Sequence, residues 1–159
     1  MIRLPRPRRP VRILLVEDND TYAETIELLL ADAEGVEVVA RARDGVEGCR
    51  LASAFEPDCV FMDISMPVMD GFAATEIIRR LDPGVRVVML TSSDDADDRA
   101  RAMRAGAAAY LTKESPLHQL VSAATVDDAG NVRQLRPAVR RVVARGVGAP
   151  PLPTSAGAA

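Results

Sequence analysis

The feature that most constrains this chain is a repeated alternation between short, continuous apolar runs and segments with helical spacing. "RILLV", "DCVFMD", "VRVVML" and "AAAYLT" each carry four or more core residues in a row, "VEVVAR" carries three after its Glu, and all break off at once. Between them lie amphipathic stretches bounded by Asp, Asn, Ser, Pro and Gly. Strands that are apolar on both faces belong to a parallel sheet covered by helices on both sides. The pattern predicts an α/β fold: a doubly wound, five-stranded parallel sheet of flavodoxin-like order 2-1-3-4-5.

The helical segments carry their own start and stop signals. "NDTYAETIELLLADAEG" begins with Asn19 or Asp20 as cap, has Ile26, Leu29 and Leu30 as its stripe and stops at Gly35. "DGVEGCRLASAFEP" opens with Asp44-x-x-Glu47, which resembles a capping box, and ends before Pro57. "DGFAATEIIRRLDPG" closes with Pro-Gly, and "DDADDRARAMRAG" follows the fourth strand. "SPLHQLVSAATVDD" predicts Ser115 as cap and Pro116 at the first helical position.

Charge divides the chain into three parts. Residues 1–12 and 129–159 each carry five Arg and no acid, whereas 13–128 hold all 23 acids against ten bases. Residues 1–10, with three prolines and four arginines, read as a disordered basic arm, and 11–128 as the folded body. Residues 129–159 read as a basic, linker-like helix followed by a disordered Pro/Ala tail. The acidic body repels nucleic acid and attracts cations. No apolar run reaches the roughly 18 residues of a membrane span. After Arg8-Arg9 the run "ILLV" is too short for an export signal, and Cys49 and Cys59 form no CxxC pair. The expectation is a cytoplasmic protein with reduced thiols and no membrane partner.

In an open parallel sheet, ligands gather at the carboxyl ends of the strands. There the sequence places Glu17 and Asp18 after strand 1, Asp63 after strand 3, Thr91 after strand 4 and Lys113 after strand 5. Taken singly, Asp63 suits a turn cap and Glu17-Asp18 a helix cap. Lys113 is the only lysine beside 19 arginines, a choice that suits a compact ammonium rather than a guanidinium. Together the residues read as a phosphoryl site. The clustered carboxylates call for a hard cation with oxygen ligands, magnesium, and the hydroxyl and ammonium make an anion cradle around a nucleophilic Asp63. No GxxxxGK[ST], GxGxxG or GxSxG motif competes, and the sole histidine, His118, lies in the last helix.

"ILLVEDN", "PDCVFMDISMPVMDGFAATEIIR", "VVMLTSS" and "AGAAAYLTKE" together resemble the receiver domain of bacterial two-component response regulators over about residues 11–126. The resemblance implies that Asp63 takes a phosphoryl group from a phosphohistidine on a sensor histidine kinase, in a reaction the receiver itself catalyses and reverses. It implies Mg2+ held directly by Asp18, through water by Glu17, by Asp63 and by the backbone carbonyl of Ser65. Thr91 and Lys113 match the family's strand-end hydroxyl and lysine. Tyr110 matches the aromatic switch residue, which turns into space vacated when Thr91 moves toward the phosphoryl group. Glu17 stands where Asp is commoner, and Glu114 follows the lysine where proline is frequent. The subfamily most alike usually carries a C-terminal helix-turn-helix, and "LRPAVRRVV" matches the start of its linker. The expectation is signalling through protein partners, including a homodimer formed on phosphorylation, with no specific nucleic acid. The alternatives are a phosphorylation-independent scaffold and the remnant of a DNA-binding regulator.

Overall fold

A computed structural model of the chain describes residues 9–131 together with 133 and 135. Five strands, β1 (Val11–Val16), β2 (Val36–Ala42), β3 (Cys59–Asp63), β4 (Arg86–Thr91) and β5 (Ala109–Thr112), alternate with five helices. The helices are α1 (Asp20–Ala31), α2 (Gly45–Phe55), α3 (Gly71–Leu81), α4 (Ala96–Ala105) and α5 (Leu117–Thr125). The strands pair in parallel in the order β2-β1-β3-β4-β5, as the alternation predicts.

Successive strand residues point to opposite faces of the sheet, so each apolar run feeds two cores. Leu14, Val16, Val60, Met62, Val87 and Met89 pack with α2, α3 and α4 through Leu51, Phe72, Ile78 and Ala102. Ile13, Leu15, Cys59, Phe61, Val88 and Leu90 pack with α1 and α5 through Ile26, Leu30, Leu120 and Ala124. Burial pushes the Cys59 thiol up to about 12 and raises that of half-buried Cys49, so both are poor nucleophiles. No helix among the described residues is long and apolar enough to cross a membrane.

The expectations for the element ends and stripes hold in part. Asn19 is the cap of α1, accepting from the Tyr22 amide, and the buried stripe is Ala23, Ile26 and Leu30. Leu29 lies to one side of that stripe and is 44 % exposed. Pro116 is the cap of α5, not its first helical residue, and no side chain caps that helix. Strand β2 runs one residue past Arg41 to Ala42. In α2 the box is offset: Asp44 accepts from the Glu47 amide, but Glu47 reaches back to the Arg43 amide.

The base of the sheet, opposite the carboxyl ends of the strands, also departs from expectation. Arg9, read as part of a disordered arm, makes a two-pronged contact with the buried Asp58 carboxylate at 2.6 and 2.9 Å. The Arg12 amide donates to the same carboxylate. Past Asp128, the Arg133 amide donates to the Thr125 carbonyl, and its guanidinium reaches the carbonyls of Ala124 and Asp58. Leu135 packs on the core facing α1 and α5. The chain on both sides of the body is therefore tied to Asp58. The expected arm over 1–8, and nearly all of the linker-like helix and tail, lie outside the described residues.

Candidate functional site

Strand register brings the site together. Val16 pairs with Met62, so Glu17 and Asp63 leave the sheet side by side. Asp63 pairs with Leu90 and Thr91 with Thr112, which carries Thr91 and Lys113 to the same rim. The Lys113 amide donates to the Thr91 carbonyl at 2.8 Å. Glu17, Asp18 and Asp63 present carboxylate oxygens within 4.8 Å of one another; Glu17 and Asp63 are buried and Asp18 is exposed.

The Lys113 ammonium lies 2.6 Å from Glu17 Oε2 and 3.3 Å from Asp63 Oδ1. Burial works to lower its pKa, but the hydrogen bond to Glu17 and the charges of Asp63 and Glu17 outweigh it, and the net shift is upward. Asp63 is pushed up to about 7, first by burial and then by the Glu17 charge; Lys113 offsets part of this. A carboxylate crowded in this way is stabilised by a bound cation, and an all-oxygen donor set fits magnesium. Glu17 is already engaged on both oxygens, since Oε1 accepts from the Asn19 amide at 2.9 Å.

The β3–α3 loop is held by a close approach. A Cβ at Gly71 would lie 2.0 Å from the Asp63 carbonyl oxygen, and the Gly71 amide donates to the Ile64 carbonyl at 2.8 Å. Only glycine allows this packing. Exposed Ser65 follows directly, and a cleft of about 530 Å³ beside it is lined by Asp18, Met66, Asp70, Phe72 and Arg101, among others. Arg101 stacks on Phe72 at 4.2 Å and lies 3.8 Å from Asp70, the cap of α3.

On the other side, Thr91 Oγ1 donates to the Ser93 carbonyl at 2.8 Å and accepts from the Ser93 amide at 3.2 Å. The Tyr110 hydroxyl donates to the same carbonyl at 3.3 Å. Tyr110 is 5 % exposed, so its side chain points inward. Its ring is covered by the Arg99 guanidinium at 4.8 Å, and the Ser93 carbonyl offers its hydroxyl an acceptor inside. All the strand-end residues expected from sequence converge here. The site roles of Ser93, of Arg99 on α4 and of Tyr22 on α1, whose ring lies under Lys113, escaped that reading because they depend on how the helices and the β4–α4 loop pack on the sheet.

A family model, the response regulator receiver domain, matches residues 13–125. The chain belongs to the response regulator receiver family. As a receiver it is 38 % identical over 113 residues to the response regulator GacA of Pseudomonas aeruginosa, covering 71 % of this chain and 53 % of that protein. It is 35 % identical over 102 residues to the chemotaxis protein CheY of Halobacterium salinarum, covering 64 % of this chain and 83 % of that one. Among solved structures, the receiver domain of the response regulator NarL from Mycobacterium tuberculosis superposes with a TM-score of 0.70 at 29 % identity, covering 73 % of this chain and 94 % of that one. The receiver spans between half and two thirds of the length of GacA relatives.

Proposed function

We propose that this receiver is a phosphoacceptor. An Asp63 carboxylate oxygen attacks the phosphorus of a phosphohistidine on a sensor histidine kinase, the P–N bond breaks, and Asp63 carries an acyl phosphate. The observation that carries this reading is the placement of Lys113, 3.3 Å from Asp63 and anchored on Glu17, where an ammonium meets the incoming charge. Asp18, Asp63 and the Ser65 carbonyl would hold magnesium directly. Glu17, with both oxygens engaged, would contribute through water. Bound magnesium would supply positive charge against the phosphoryl oxygens.

The output follows from the shared carbonyl of Ser93. Phosphorylated Asp63 carries about two negative charges. The Thr91 hydroxyl then turns from Ser93 toward the phosphoryl group, and Tyr110 loses its co-donor on the carbonyl. Helix α4 buries only Ala102 and Ala105 against the body, so this face shifts with little resistance. The α4–β5–α5 face then presents itself to a downstream protein or to a second copy of the chain. Residence in the cytoplasm, beside the kinase's phosphorylated domain, completes the reading.

The alternative is a scaffold whose output does not depend on phosphate. Intact-mass spectrometry with magnesium and a small acyl phosphate donor separates the two. The phosphoacceptor gains one phosphoryl mass that Asp63→Asn does not. A wild-type chain that never gains it leaves the scaffold.

A further inference from the structure

The geometry points to Tyr22 as a positioning residue that presents Lys113 to the phosphoryl group through the face of its ring. The inference rests on the phosphoacceptor reading above and adds a residue to its machinery. Lys113 Nζ lies over the Tyr22 ring, 4.9 Å from its centroid, while donating toward Glu17 and Asp63. A lysine stem has four rotatable carbons, and the 2.6 Å contact with Glu17 alone would let the ammonium settle away from Asp63. The ring closes the remaining side and attracts the cation by its quadrupole.

The ring is also fixed relative to Glu17. The Tyr22 amide donates to Asn19 Oδ1 at 2.9 Å, and the Asn19 amide donates to Glu17 Oε1 at 2.9 Å. Glu17 Oε2 then meets Lys113, which lies back over Tyr22. Lys113, Glu17, Asn19 and Tyr22 thus form a closed circuit, with the first turn of α1 placing both the ring and the carboxylate partner. The Tyr22 hydroxyl is buried without a hydrogen-bond partner among the described residues, so within them the ring face is the residue's contact with Lys113. The π face is what the site uses, so phenylalanine should serve and an aliphatic side chain should not.

The single lysine makes this directly readable. In full-length protein labelled only at lysine, the Lys113 methylene protons nearest the ammonium should resonate upfield because of the ring current. The upfield shift should persist in Tyr22→Phe and vanish in Tyr22→Met and Tyr22→Leu; two aliphatic variants guard against one failing to fold. With magnesium and acetyl phosphate, the aliphatic variants should phosphorylate roughly fivefold more slowly, the scale of one partly desolvated cation–π contact, and Tyr22→Phe at the wild-type rate. Unchanged Lys113 shifts in the aliphatic variants would overturn the assignment, as would a Tyr22→Phe rate as low as theirs. The two levels fail separately. A wild type that takes no phosphoryl group sinks the phosphoacceptor reading, whereas aliphatic variants that phosphorylate at the wild-type rate sink only the role of Tyr22.

Discussion

Thr91 and Tyr110 meet on one atom: the Ser93 carbonyl oxygen accepts from the Thr91 hydroxyl at 2.8 Å and from the Tyr110 hydroxyl at 3.3 Å. A change at Thr91 is therefore felt by Tyr110 through a shared acceptor, with no rearrangement of the sheet. Thr91→Ala should still accept phosphate, because the nucleophile and Lys113 are intact. Its amide shifts over α4, β5 and α5 on phosphorylation should be smaller than wild type. Equal shifts in both would remove Thr91 from the coupling.

Asp58 sets the acid limit of the fold. Burial works to raise its carboxyl, but the Arg9 hydrogen bonds and the Arg12 amide outweigh it and hold the pKa below the ordinary carboxylate value. A group depressed in the folded state stabilises above its unfolded pKa, and that contribution is lost as pH falls through the lower folded value. Stability of the wild type should thus fall on acidification below about 4. Asp58→Ala should lose on the order of 2 kcal/mol near neutral pH, the scale of charge-assisted hydrogen bonds, and show a shallower acid slope. Urea melts at several pH values would show both; parallel slopes would discard the clamp.

A chain ending at Asp128 should fold and take phosphate, yet melt at lower temperature than the full chain. It would lack the Arg133 contacts to Thr125, Ala124 and Asp58 and the packing of Leu135. About 1–3 kcal/mol is expected from a few hydrogen bonds and one partly buried side chain. Identical melting curves would make the segment beyond 128 energetically idle.

The β3–α3 loop should respond oppositely at two positions. Val68 has φ +70 and is 83 % exposed, a left-handed conformation that a β-branched residue adopts at a cost of about 1–2 kcal/mol. Val68→Gly removes that strain but adds about 0.5–1 kcal/mol of backbone entropy, so a small net stabilisation is expected. Gly71→Ala drives a methyl against the Asp63 carbonyl and should cost about 3 kcal/mol and slow phosphorylation. Chemical denaturation of the two variants would order them on either side of wild type.

The sheet was legible in the sequence because the inner strands β1, β3 and β4 are buried on both faces, which leaves long apolar runs, while the edge strand β2 still shows Val-Val-Ala beside its exposed Glu37. The site was legible because a parallel sheet delivers the residue after each run to one edge. What sequence could not supply were relations set by distant packing. The ion pair of Arg9 with Asp58 joins residues 49 apart, and nothing local marks Asp58 as more than a loop acid. Leu29 and Leu30 are indistinguishable by composition, and only the rotation of α1 on the sheet decides which is buried. Tyr110 turns inward because Arg99 covers its ring and Ser93 receives its hydroxyl, both on neighbouring elements.

The central claim is that Asp63, among several acids at this edge, is the atom-level acceptor. Borohydride reduces an aspartyl phosphate to homoserine, which marks the modified position covalently. After phosphorylation with magnesium and acetyl phosphate, reduction and tryptic digestion, residues 51–79 form one peptide, and Asp18 falls in another, 13–41. Fragmentation should place homoserine at position 63 alone, leaving Asp58 and Asp70 in the same peptide unchanged. Homoserine at Asp18, Asp58 or Asp70 in place of 63 would contradict the account.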